Sequence, residues 1–116
     1  MNVNVQANGA PVDFETHCLA IQEEGYTVFT DVLSEAEITA YRAALQPWLD
    51  RDLCGRNVFE GTRSHRVYAM LAKDPIFAEL VVHPIALTLA EHFLGASCLL
   101  SACLAIDLLP GETAQP

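Results

Sequence analysis

The chain has 116 residues, 52% of them hydrophobic, which is enough apolar material to build one small domain, or part of one, and excludes a disordered tail. Fifteen acidic against six basic residues give a formal charge of −9, so phosphate backbones and anionic membranes are repelled and neither nucleic-acid nor membrane binding is expected. The start, MNVNVQANGAPVDFE, has neither the basic nor the apolar region of a secretory signal, and no apolar run reaches membrane-spanning length, so a cytoplasmic protein is expected.

Residues 1–12, polar with Asn, Gly and Pro, read as a flexible tail, and residues 13–116 as part of a single domain. Asp13 is placed to cap a helix, because Phe14, His17, Cys18 and Ile21 recur at helical spacing before Gly25 ends it. The β-branched and aromatic run Tyr26 to Thr30 then predicts a short strand. Ser34 followed by Glu37 is a capping box, so a second helix starts there, with Ile38, Tyr41, Leu45 and Trp48 or Leu49 as its apolar stripe. Pro47 has no N–H to donate and is expected to kink or shorten that helix.

Residues 50–65, with Gly55, Gly61 and three arginines, read as an irregular connection of the kind that lines sites. A strand over Val67 to Leu71 follows, then helices over about 75–82 and 84–94, each opened by a proline and the second closed by Gly95. Ser97 to Leu109 is almost wholly apolar with Asp107 its one charge, which predicts a strand buried on both faces, closed by Pro110-Gly111. The fold class is therefore α+β. With two or three strands, the sheet is expected to be incomplete within these residues. Cys18, Cys54, Cys98 and Cys103 form no CxxC pair and suit neither a zinc site nor a disulfide framework, so free thiols are expected.

Three stretches in series, GYTVFTDVLSEAEI, GTRSHRVYAMLAKDPIFAELVVHP and LLPGETAQP, resemble the phytanoyl-CoA dioxygenase family of iron(II)- and 2-oxoglutarate-dependent oxygenases. The resemblance covers about residues 22–116. It implies the N-terminal helices and first strands of a double-stranded β-helix, or jelly roll. It also implies that the iron of the full-length parent is held by a His-x-Asp pair and a distant His, a set that would follow the PGETAQ-like segment. None of His17, His65, His83 and His92 stands in a His-x-Asp or His-x-Glu arrangement, and neighbours such as Glu91 and His92 diverge by about 100° on a helix. No metal ligand and no catalytic residue is therefore assigned. The chain is expected to be the N-terminal fragment of an oxygenase, truncated before its metal motif, inactive alone and binding neither Fe(II) nor 2-oxoglutarate by itself.

The resemblance singles out two cofactor-binding candidates. Arg66 matches a recurrent arginine of the family, and its guanidinium suits bidentate bonding to a carboxylate of 2-oxoglutarate or of an acidic substrate; Arg63 is the neighbouring alternative. Gln115 matches the glutamine just before the metal motif, where its amide would hydrogen-bond the keto acid or support a ligand. Either arginine would instead pair with Glu60 or Asp74 if its role were structural. The implied partner is a small-molecule substrate whose identity the resemblance leaves open. The alternative is a non-catalytic helical and β module that binds a protein partner through its open sheet.

Overall fold

The computed structural model describes residues 6–7, 10–51 and 54–114 and divides into two compact units, residues 1–38 with 79–99 and residues 39–78 with 100–116. In the first unit, β1 (Gln6–Ala7) pairs antiparallel with β2 (Ala10–Pro11) inside the segment expected as a tail. Helix α1 (Phe14–Glu24) begins as its sequence implies: Asp13 accepts from the Thr16 N–H at 3.3 Å and from the Thr16 hydroxyl at 2.7 Å. Gly25 ends it with φ 85°, the left-handed conformation that a residue without Cβ adopts freely.

The strand expected over Tyr26 to Thr30 does not form. β-branched residues favour a strand only where a neighbouring strand supplies a ladder, and no described strand pairs here. Side chains fix the segment to α1 instead: the His17 ring stacks on Phe29 at 3.8 Å between centroids, and His17 Nδ1 lies 2.7 Å from the Thr27 hydroxyl. Helix α4 (Pro84–Leu94) has proline at its first position and His83 as its cap, with Nδ1 accepting the Ile85 N–H at 3.3 Å. Among the described residues, Cys18 of α1 and Ile85 of α4 are the buried apolar side chains of this unit, and burial pushes the Cys18 thiol pKa up, so it stays protonated.

The capping box forms as expected at the start of α2 (Glu35–Leu49), a helix whose later residues belong to the second unit. The Ser34 hydroxyl accepts from the Glu37 N–H at 3.3 Å, while the Glu37 carboxylate accepts from the Ser34 N–H at 2.8 Å. α2 runs through Pro47 and stops at Leu49, so the proline does not end it. Past it the ladder continues, with Gln46 accepting the Asp50 N–H at 2.9 Å. Just beyond, Arg51 and Lys73 lie 4.2 and 4.1 Å from the Trp48 ring centroid, binding the end of α2 to the turn after Ala72.

The strand expected over Val67 to Leu71 lies earlier, as β3 (Ser64–Val67), and Met70–Ala72 is a 3-10 turn. Ala69 sets the boundary: its φ of 52° takes the chain out of the ladder. β4 is Ala105–Leu108 alone, much shorter than the strand expected over Ser97 to Leu109, and it is not buried on both faces. Among the described residues it pairs only with β3, antiparallel, and its Ile106 and Leu108 stay 48% and 68% exposed. α3 (Ile76–Val81) follows Pro75, with Asp74 Oδ1 accepting the Ile76 N–H at 2.9 Å. Val67, Met70 and Phe77 form the buried apolar set of the second unit. None of the four cysteines is in a disulfide.

Phe77 is 2% exposed, so Phe77→Ala is expected to cost about 3–5 kcal/mol, whereas Ser34→Ala, which removes a cap on an exposed turn, should cost about 1 kcal/mol. Urea denaturation followed by circular dichroism checks the order; equal losses would mean that Phe77 does not anchor the core.

Candidate functional site

The register of β3 on β4 decides which side chains share a face. Ser64 stands opposite Leu108 and Arg66 opposite Ile106, so these four lie on one side of the sheet, while His65, Val67, Ala105 and Asp107 lie on the other. The first face floors a cavity of about 610 Å³, walled by Gly61, Leu109 and residues 111–114. Glu112 holds that wall in place. Its carboxylate accepts the Arg63 N–H at 2.6 Å, the Ser64 hydroxyl at 2.7 Å and the Thr113 N–H at 2.9 Å. The Ser64 hydroxyl, then the Arg63 N–H, hold its carboxyl pKa below the ordinary glutamate range.

Gly61 is required beside this clasp. Its φ is 86°, and a Cβ there would collide with the Ser64 hydroxyl and stand 2.7 Å from Glu112 Oε2. Gly55 is constrained in the same loop, since a Cβ would meet the Gly61 carbonyl. The Gly55 N–H donates to the Ser64 carbonyl at 3.0 Å and Cys54 bridges to His65, so this loop covers the outer edge of β3. The outer edge of β4 has no strand beside it among the described residues.

Arg66 lines the cavity and also a neighbouring cleft of about 320 Å³ formed with Cys54, Arg56, Glu60 and Tyr68. Its Nε donates to the Glu60 carbonyl oxygen at 2.6 Å, and no bond from its two Nη groups is seen among the described residues. The Glu60 carboxylate turns instead to Arg56, with Nη2–Oε1 at 3.0 Å and Nε–Oε2 at 3.2 Å. Arg56, through its side chain and then its backbone N–H, pulls the Glu60 pKa to about 2. The surface pairing considered for Arg66 with Glu60 therefore exists only through the main chain. Arg63 stands near Glu112 and Gly111, and Asp74 is occupied as a cap. Gln115 lies outside the described residues.

The four histidines take separate places. His65 Nδ1 is 3.2 Å from Asp107 Oδ2 across the strands, on the face opposite Ser64 and Arg66. His17 holds Thr27, His83 caps α4, and His92 meets Phe14 and Phe93 edge-on. Among the described residues no group of three His, Cys, Asp or Glu side chains could hold a metal ion. A facial set of two imidazoles and one carboxylate therefore does not fit these residues. No helix among them is long and apolar enough to cross a membrane.

The family model of phytanoyl-CoA dioxygenase matches residues 21–109, which include α1's last turn, both strands of the site and Arg66. The chain belongs to the phytanoyl-CoA dioxygenase family. No solved structure matches it. Membership carries a dioxygenase-type, oxidoreductase function, and the α+β structure with its antiparallel strand pair is compatible with part of such a fold. Sequence reasoning placed Gly61 in a connection of the kind that lines sites but missed the roles of Ser64 and Glu112 in this dioxygenase-family chain; the signal for Glu112 was its place directly after the Pro110-Gly111 turn.

Glu112→Gln tests the clasp. A carboxyl whose folded pKa is lowered stabilises above its unfolded pKa and loses that contribution as pH falls through the folded value. The wild type is therefore expected to melt higher than Glu112→Gln at pH 7, and the gap should close below about pH 4.3, the ordinary glutamate value. Thermal melts at stepped pH check this; a gap independent of pH would show that charge at Glu112 is irrelevant.

Proposed function

We propose that this chain is the N-terminal part of an iron(II)- and 2-oxoglutarate-dependent dioxygenase that hydroxylates an organic small molecule. The observation that carries the reading is the family match over residues 21–109, since members of the family generally depend on both groups. The described residues do not fit the metal, so on this reading the iron ligands come from residues outside these 116, and the chain alone does not turn over. β3 and β4 would be early strands of a jelly roll whose further strands cover the outer edge of β4 and its exposed Ile106 and Leu108.

Within that enzyme Arg66 would grip a carboxylate of 2-oxoglutarate. Its Nε is held by the Glu60 carbonyl, which leaves the Nη pair as the fork for a planar anion. Gln115 would support the keto acid from the segment beyond the clasp.

With iron(II), ascorbate and 2-oxoglutarate, the 116-residue chain is expected to form no succinate above a protein-free blank, whereas a chain extended through a downstream His-x-Asp should. Turnover by the 116 residues alone would overturn the division proposed here. In the extended enzyme, Arg66→Lys should weaken 2-oxoglutarate binding nearly as much as Arg66→Ala, by about tenfold or more, because lysine lacks the planar fork. Gln115→Glu should bind it less well than Gln115→Ala, by adding a like charge. An unchanged 2-oxoglutarate midpoint for Arg66→Ala would move the role to Arg63 or to neither arginine.

A further inference from the structure

The charges of this chain are divided unevenly between the two units. Arg42, Arg51, Arg56, Arg63, Arg66 and Lys73, all six of its lysines and arginines, lie in residues 39–78 and 100–116, where six acidic residues balance them. Residues 1–38 with 79–99 contain the other nine acidic residues and not one lysine or arginine. The entire formal charge of −9 therefore sits on the first unit. That unit also carries an open apolar groove of about 550 Å³, whose walls include Ile21, Phe29, Leu33, Leu80 and Leu89.

The groove's polar groups are partly committed within the unit. The Thr27 hydroxyl lies 2.7 Å from His17 Nδ1, and His83 Nδ1 takes the Ile85 N–H at 3.3 Å. The acids stand beside the groove in the chain and face solvent. Glu23 and Glu24 precede its Gly25, Asp31 falls between its Phe29 and Val32, and Glu79 adjoins its Leu80. Glu37 is close enough to His83 for that ring to help lower its carboxyl pKa, after the larger effect of Ser34.

We propose that this groove docks a basic amphipathic helix of a partner protein, with apolar side chains in the groove and Lys or Arg over the acidic rim. Charge complementarity selects the occupant. A second copy would bring either the same unit of −9, which is repelled, or a second unit of no net charge, which gives no complementarity, and an anionic membrane is repelled. An apolar stripe flanked by cations meets both the walls and the rim, in the manner of a helix laid in a groove. The inference uses no residue assigned to the keto acid, so its test can fail while the dioxygenase reading stands.

The test is fluorescence anisotropy of the full 116-residue chain with a labelled helical peptide of Leu and Lys, Leu on one face and Lys on its flanks. Binding in the micromolar range is expected at low salt, weakening by about tenfold or more at about 0.5 M salt as the charges are screened. Peptides with Ser for Leu, or Glu for Lys, should each bind at least about tenfold less tightly, since each removes one of the two required features. Glu24→Lys should weaken binding several-fold. Glu15→Lys makes the same change in net charge about 9 Å further along α1 from Ile21 and should leave the affinity within about twofold. Equal effects of Glu15→Lys and Glu24→Lys, or an indifferent Ser-for-Leu peptide, would reduce the attraction to net charge and overturn the proposal. So would displacement of the peptide by dodecylammonium at equal affinity, or self-association by sedimentation that blocks it. The peptide exchanges need no variant of the protein, so they decide the matter even if Glu24→Lys fails to fold.

Discussion

The pairing of Ser64–Val67 with Ala105–Leu108 in one register is the constraint from which the second unit is built. A slip of one residue would turn every side chain of β4 to the other face. Both faces resist it. On one side the His65–Asp107 pair needs those two residues opposite each other, and on the other the Ser64 hydroxyl must meet Glu112 beyond the end of β4. Burial adds to this, because Val67 is 1% exposed and a slip of β3 would bring it out. The Leu109 N–H to the Arg63 carbonyl and the Met70 N–H to the Cys103 carbonyl, both at 3.0 Å, continue the alignment past each end of the ladder. Together these contacts fix where the Arg66 backbone stands.

The first unit is held by different means. Without a lysine or arginine it can form no internal Lys or Arg ion pair, and its nine acids repel one another. Two of them are placed where a negative charge is favoured: Asp13 caps α1 and Glu37 closes the box at the start of α2, each near the positive end of a helix dipole. Hydrogen bonds to Thr16 and to Ser34 hold those carboxyls below their ordinary pKa values. Apolar contact and the His17–Phe29 stack supply the rest of the cohesion. A unit organised in this way leaves its remaining acids directed at solvent.

What could be read from the sequence was the local chemistry. The Asp13 cap, the Gly25 stop, the Ser34–Glu37 box and the proline openings at Pro75 and Pro84 each depend on neighbours within a turn or so, and each stands where the residues imply. The strands were less legible, because a strand is a property of pairs. Tyr26 to Thr30 has the composition of a strand and no partner, while Ser97 to Ala102 has an apolar run and no ladder. In the candidate site, Arg66 was accessible through resemblance. The Ser64–Glu112 clasp joins residues 48 apart and becomes visible only when the chain returns. Pro47 shows a further limit: the helix runs on past it to Leu49, which the residue type alone does not give.

Glu60 makes neighbouring arginines unlike one another. Its carboxylate is spent on Arg56, an exposed side chain, and its backbone carbonyl on Arg66. Had the carboxylate gone to Arg66, that guanidinium would be neutralised in a bidentate pair and have little left for another anion. The Glu60 carbonyl oxygen accepts the Nε–H and carries no net charge, so Arg66 keeps its full positive charge beside the cavity while its Nε is fixed in place. The same charge helps, after the larger effects of Arg56, to depress the Glu60 pKa. Loop residues 55–61 therefore do two things at once: Gly55 and Gly61 permit the close approach that shields β3, and Glu60 separates an arginine that is paired from one that is held. The loop thus holds Arg66 through a neutral acceptor, without any residue from β4.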